Sequence, residues 1–160
     1  MYSVVMKLSK YSAVFVIVLL LTSACSNSSS LSSKDIPATL EVGSECPTND
    51  AAKVLDVVTK QVSSFKEQDV DKAYTYSTQD FKDLFDVKSF YEIVLSGYTS
   101  LLVNESVEYG LCTVADQGFN QIVMIKSKSK LERMDFGVLN EDGRYGVNKV
   151  EIFSTQEIQG

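Results

Sequence analysis

The sequence predicts an α+β domain in which N-terminal helices pack on a curved four-stranded antiparallel sheet. Two observations carry this. Apolar residues recur at three- and four-residue steps as far as Leu102, and beyond that point they alternate with polar ones. Short turn-forming stretches then separate four successive strand-like runs, which is simplest as a meander.

The chain opens with Lys7 and Lys10, an apolar run from Ala13 to Leu21, and then Thr22-Ser23-Ala24-Cys25. A basic start, an apolar centre and small residues before a cysteine read as a bacterial lipoprotein signal peptide over residues 1–24, with Cys25 as the lipid-bearing residue. Counted from Tyr11 to Leu21 the run has eleven residues, short of the ~20 needed to span a bilayer. An ordinary secretory signal cut nearby is the alternative. Residues 25–46 begin as a Ser- and Asn-rich tether, in which Ile36 to Val42 is apolar enough to dock as a short arm. Residues 47–154 form the expected domain, and 155–160 a C-terminal tail. The expected address is the bacterial cell envelope, with the domain facing the periplasm or the exterior.

The first domain helix is expected from Thr48 or Asn49, either able to cap it, with Ala51, Val54, Leu55, Val58, Val62 and Phe65 as its apolar stripe. A break follows at Lys66–Asp69. Asp69 caps a shorter helix with Val70, Ala73 and Tyr74 on one face. Ser77 or Thr78 starts a further turn carrying Phe81, Leu84 and Phe85. A third main helix, around Lys88–Ser96, continues its stripe through Phe90, Ile93, Val94, Gly97, Tyr98 and Leu101.

The first strand alternates Val107, Tyr109, Leu111 and Thr113 with Glu108, Gly110 and Cys112. Asp116–Gly118 is a turn, Gln121–Lys126 the second strand, and Leu131–Leu139 the third. Glu141-Asp142-Gly143 is a tight turn into a fourth strand, Tyr145–Phe153. Its apolar phase slips between Val147 and Val150, which predicts a β-bulge at Asn148–Lys149.

Composition narrows the chemistry. Residues 25–160 hold 13 basic and 21 acidic residues, a net charge of −8 against −6 for the whole chain. Such an acidic balance argues against nucleic acid and against direct adhesion to anionic lipid. The chain has no His, so neither a Ser-His-Asp set nor a His-ligated zinc site is available, and no cofactor is expected. With Cys25 lipidated, Cys46 and Cys112 remain, and an exported chain favours their pairing over two buried thiols.

The segments Val62-x-x-Phe65, Asp69-x-x-x-Ala73-Tyr74, Phe90-Tyr91 and Gly97-Tyr98 before Leu101-Leu102 carry a resemblance, together with Gly143 to Val150 at the end. They resemble a bacterial family of unknown function in the nuclear-transport-factor-like (cystatin-like) superfamily. Tyr145 stands where that family's closing strand has Trp, and Gly146 where it has Arg. The resemblance implies a cone: a strongly curved sheet around a long helix, closed by shorter helices. The superfamily holds isomerases, dehydratases and cyclases as well as non-catalytic binding modules, so the fold leaves function open.

A pocket between sheet and helices could then be lined by Tyr74, Phe81, Phe90 and Tyr98 from the helical side and by Tyr109, Met124 and Phe136 from the strands; the same aromatics could simply fill the core. Asp69 and Asp71 beside Tyr74 are the candidate acids for an isomerase or dehydratase, although a helix cap and a first-turn acid explain them as well. Asp80, Asp83 and Asp86 recur every three residues without the Gly and closing Glu of a calcium loop. Lys126, Lys128 and Lys130 would share one strand face, where a lysine row protects an edge. The expected function is a non-catalytic, membrane-tethered module binding a small apolar ligand or an envelope protein. A Tyr/Asp-pocket isomerase or dehydratase is the alternative, and homodimerisation through the open sheet face a third possibility.

Overall fold

The computed structural model describes residues 41–158. The segment expected to be a signal peptide, Cys25 and most of the Ser-rich stretch lie outside the described residues. Among those described, the order is α1 (Thr48–Lys66), α2 (Val70–Thr75), α3 (Gln79–Leu84), α4 (Val87–Gly97) and α5 (Thr99–Leu102), then β1 (Ser106–Val114), β2 (Phe119–Lys126), β3 (Lys130–Glu141) and β4 (Arg144–Glu157). The strands form one antiparallel meander in the order β1-β2-β3-β4. Helices followed by an open antiparallel sheet is the predicted α+β arrangement.

The caps at Asp69 and Thr78 are those the sequence predicts, whereas Asp86, expected only as one of an acidic row, proves to cap α4. The carboxylate of Asp69 accepts from the Lys72 backbone N–H, Thr78 from that of Phe81, and Asp86 from that of Ser89. Each satisfies a donor that the first turn leaves unpaired. At α1 the expectation fails. Pro47 occupies the cap position without a side-chain hydrogen bond, and Thr48 and Asn49 lie inside the helix. Gln68 takes φ 59° after α1, letting the Asp69 N–H close back onto the Ser64 carbonyl and end the helix.

The core lies between α1 and one sheet face. Val54, Val58, Val62 and Phe65 are buried as the stripe requires. Leu55 is exposed instead, and Val57 and Gln61 take its place on the buried face. From the sheet, Val123, Ile125, Met134, Phe136 and Val138 complete this core. Each such side chain contributes about 1.5–3 kcal/mol when fully withdrawn from water.

Three register shifts shape the sheet. Gly137 pairs with Lys149 while Val138 pairs with Val147, so Asn148 is the extra residue, at the predicted bulge. A second shift makes Phe153 extra, and β4 continues to Glu157, taking in positions expected to be tail. The third, between Tyr109 and Cys112, overturns the alternation expected for β1. Tyr109 pairs with Val123 and Cys112 with Gln121, so Val107, Tyr109, Cys112 and Val114 face inward and Leu111 is 59% exposed. A bulge reverses side-chain phase, which an alternation count cannot follow.

Cys46 and Cys112 form a disulfide, with Cα atoms 5.4 Å apart. Residues 43–46 run beside β1, with hydrogen bonds from the Gly43 N–H to the Val114 carbonyl and from the Cys46 N–H to the Cys112 carbonyl. The apolar arm expected over Ile36 to Val42 falls largely outside the described residues, and Val42 itself is exposed. Lys126 ends β2 and Lys130 starts β3 on either side of a turn. Both strands are internal, so these lysines do not form the edge-protecting row expected of a single strand.

Candidate functional site

One open cleft of about 420 Å³ lies between α3, α4 and β4. Its floor is set by a strand-like passage between α2 and α3. Residues 76–78 run alongside β4, where the Val147 N–H donates to the Tyr76 carbonyl and the Thr78 N–H to the Val147 carbonyl. Gly146 permits the approach, because a Cβ there would stand 3.0 Å from Thr78 backbone atoms. This gives a steric reason for glycine at the position where the resembled closing strand carries Arg. Beyond Val147 the bulge at Asn148 turns the strand, and the cleft opens beside it.

The walls are apolar. Phe65, Phe90, Val94 and Leu101 are buried in them, with Phe81 and Ile93 half-buried and Leu84 and Phe85 exposed at the rim. Phe90 organises the aromatics, its ring centroid lying 5.7 Å from that of Phe65, 5.7 Å from Phe81 and 5.5 Å from Tyr74. Tyr98 reaches across from the end of α4 and donates its hydroxyl to the Val150 carbonyl at 2.7 Å, tying the helical side to β4.

The polar floor is small. Gln61, only 1% exposed, donates through Nε2 to the Ala73 carbonyl at 3.2 Å and to Ser77 Oγ at 3.4 Å. Reversing the amide would set oxygen against oxygen at Ala73, which fixes its orientation. Oε1 is then left without a donor among the described residues. Asn148 Oδ1 is also unpartnered, but it lies over Gly137, where a Cβ would meet it at 2.8 Å. The charged lining groups, Asp80 and Lys149, are exposed at the rim, and Lys149 is paired with Glu151 at 3.1 Å.

The predicted pocket residues divide. Phe81, Phe90 and Tyr98 line the cleft. Tyr74 stands behind Phe90 and donates to the Phe85 carbonyl at 2.7 Å, pinning the link from α3 to α4. Lys82 lies over the Tyr74 ring, and burial lowers its pKa from the ordinary lysine value, with Arg144 adding to the effect. Tyr109 lies elsewhere, in a groove shared with the disulfide, Ala52 and Leu55. Phe136 is fully buried core, and Met124 lies in the opposite phase to the buried Val123 and Ile125. Of the acidic triplet, Asp86 caps α4, Asp83 accepts from Gln79 Nε2 at 2.8 Å, and Asp80 stands at the rim.

A second constellation links Tyr145, whose hydroxyl donates to the Asp50 carboxylate, with Lys53 over its ring at 5.4 Å. The carboxylate acceptor, with burial second, pushes the phenol up to about 12. It borders a shallow groove with Lys53, Val57 and Tyr76, apart from the apolar cleft.

Over residues 47–159 the chain matches a family described as Domain of unknown function (DUF4864). The chain belongs to the DUF4864 family. No curated protein and no solved structure gives a match. The DUF4864 match takes in all five helices and four strands described above, so the cleft and Cys112 fall within it, while Cys46 lies just before it. Neither Gln61 nor Ser77 was expected in this DUF4864 site, Ser77 being named only as a possible helix start. The available signal was a glutamine at a three-residue step from Val58, on a helix face otherwise filled with Val and Phe.

Proposed function

We propose that this DUF4864 domain is the folded part of a bacterial lipoprotein, lipidated at Cys25, and serves the cell envelope as a non-catalytic binding module for a small, mainly apolar ligand. The observation that carries the reading is the cleft: about 420 Å³, walled by Phe65, Phe81, Phe90 and Val94, with uncharged polar groups at its floor. That size and mixture suits a compact organic molecule. The lipoprotein part rests on the residues around Cys25. Assignment of the fold to the nuclear-transport-factor-like superfamily is supported by the element order, helices first and then an antiparallel meander.

The isomerase or dehydratase reading has less behind it. Asp69 is engaged as a helix cap, and Asp50 with Tyr145 lies outside the apolar cleft. A phenol held protonated to about 12 is a hydrogen-bond donor near neutrality and a poor base.

Two measurements test the proposal. Labelled palmitate is expected to incorporate into the full chain expressed in bacteria and to be lost in Cys25→Ser; incorporation that survives the substitution sinks the anchor. A neutral, apolar fluorescent dye is expected to bind the purified chain and to be weakened by Phe90→Ala. Equal binding by both proteins sinks the cleft as the binding site.

A further inference from the structure

The floor of the cleft specifies more than apolarity. Gln61 Oε1 is a buried acceptor with no donor among the described residues. Beside it the Ser77 hydroxyl, 2% exposed, accepts from Gln61 Nε2 and has no acceptor for its own proton among the described residues. Leaving such groups unmatched in a dry site is unfavourable, and a partner supplied from outside removes that penalty. The unmatched pair is one acceptor and one donor, set side by side by the 3.4 Å contact between the two side chains. An ion is a poor match. The cleft's two charged side chains are at its exposed rim, so a charge brought to the floor would lose water without gaining a counter-ion.

We infer that the cleft binds an uncharged amphipathic molecule whose polar end both donates and accepts a hydrogen bond, an amide or an alcohol, placed against Gln61 and Ser77 with its apolar body along Phe65 and Phe90. This rests on the cleft being a ligand site, as proposed above, and adds the chemistry of the ligand's head. The cleft's volume of about 420 Å³ lies in the range of small-molecule sites.

The test uses four probes with one apolar body: phenylbutanamide, butylbenzene, phenylbutanoate and phenylbutylammonium, titrated into the full chain by calorimetry. The amide is expected to bind about tenfold more tightly than butylbenzene, a difference of about 1.4 kcal/mol, and more tightly than either ion. Gln61→Leu and Ser77→Ala should each shrink the preference for the amide severalfold while preserving butylbenzene affinity. Thermal unfolding confirms that each variant is folded, and Ser77→Ala stands in if loss of the Ala73 contact unfolds Gln61→Leu. Equal affinity for amide and butylbenzene, tighter binding of an ion, or an amide preference unchanged in both variants overturns the inference and leaves the apolar cleft standing. Failure of all four probes to bind overturns the cleft and the inference together.

Discussion

Replacing Tyr145 by Phe removes one atom from a contact that joins the first turn of α1 to the start of β4, 95 residues apart in the chain. The ring remains, so its stacking on Phe119 at 6.1 Å and the Lys53 cation above it are retained. What is lost is the hydrogen bond to Asp50. The phenol rises from the ordinary 10.0 to about 12, a shift equivalent to about 2.7 kcal/mol at full weight. Tyr145 and Asp50 are both only half-buried, and solvent screening discounts this to about 1 kcal/mol. The sign of the pH dependence follows. A raised folded-state pKa means that the contribution is complete below about pH 10 and is lost as pH rises through about 12, because the unfolded chain gives up the proton first. Urea unfolding of wild type and Tyr145→Phe at about pH 7 and about pH 11 reads the difference. Wild type should be more stable by about 1 kcal/mol at the lower pH, with the gap narrowing at the higher. Every other titratable group is common to the two proteins and cancels in the comparison. An unchanged gap, or a phenol that titrates near 10 in the absorbance of the native protein, would refute the reasoning.

Three further outcomes are expected. Cys46→Ala with Cys112→Ala opens a loop spanning 66 residues and should cost about 4 kcal/mol in chemical unfolding, on the chain-entropy estimate. Gly118→Ala places a methyl against the Val138 carbonyl at φ 78°, and should lower stability by about 1–3 kcal/mol in the same assay. Asp69→Ala removes the α2 cap and should cost about 1 kcal/mol, whereas Asp71→Ala, exposed on the same helix, should be close to neutral.

The fold was readable wherever local preference and tertiary packing agree. Asp69 and Thr78 cap where their side chains can reach the third residue on, and Asp142-Gly143 turns the last hairpin through two positive φ values. The bulge at Asn148 was legible because it interrupts an apolar alternation. The one in β1 was hidden because Leu111 supplies an apolar residue at the expected place while pointing outward. The site was legible only in its aromatics. Phe81, Phe90 and Tyr98 announce themselves by type, but whether they fill space or border it depends on how far β4 stands from α4. Tyr74 and Tyr109 have the same character in sequence and end up behind the cleft wall and in another groove. Ser77 reaches the floor only because residues 76–78 pair with Val147 across a long sequence gap.

The linkage between Cys46 and Cys112 also fixes how the domain meets mechanical load. A pull on the residues preceding Cys46 passes through the two sulfurs into β1 and does not run along α1. The hydrogen bonds that then resist are those of the β1–β2 ladder, whose seven residue pairs are loaded by a force entering near one end, at Cys112. In the reduced protein the same pull, once the hydrogen bonds of residues 43–46 to β1 give way, would be carried by the chain into Pro47 and the start of α1, and would draw α1 off the core turn by turn. Oxidation thus transfers the point of attachment from a helix end to the sheet, and an unfolding force measured by pulling from the N-terminal side should fall when the disulfide is reduced.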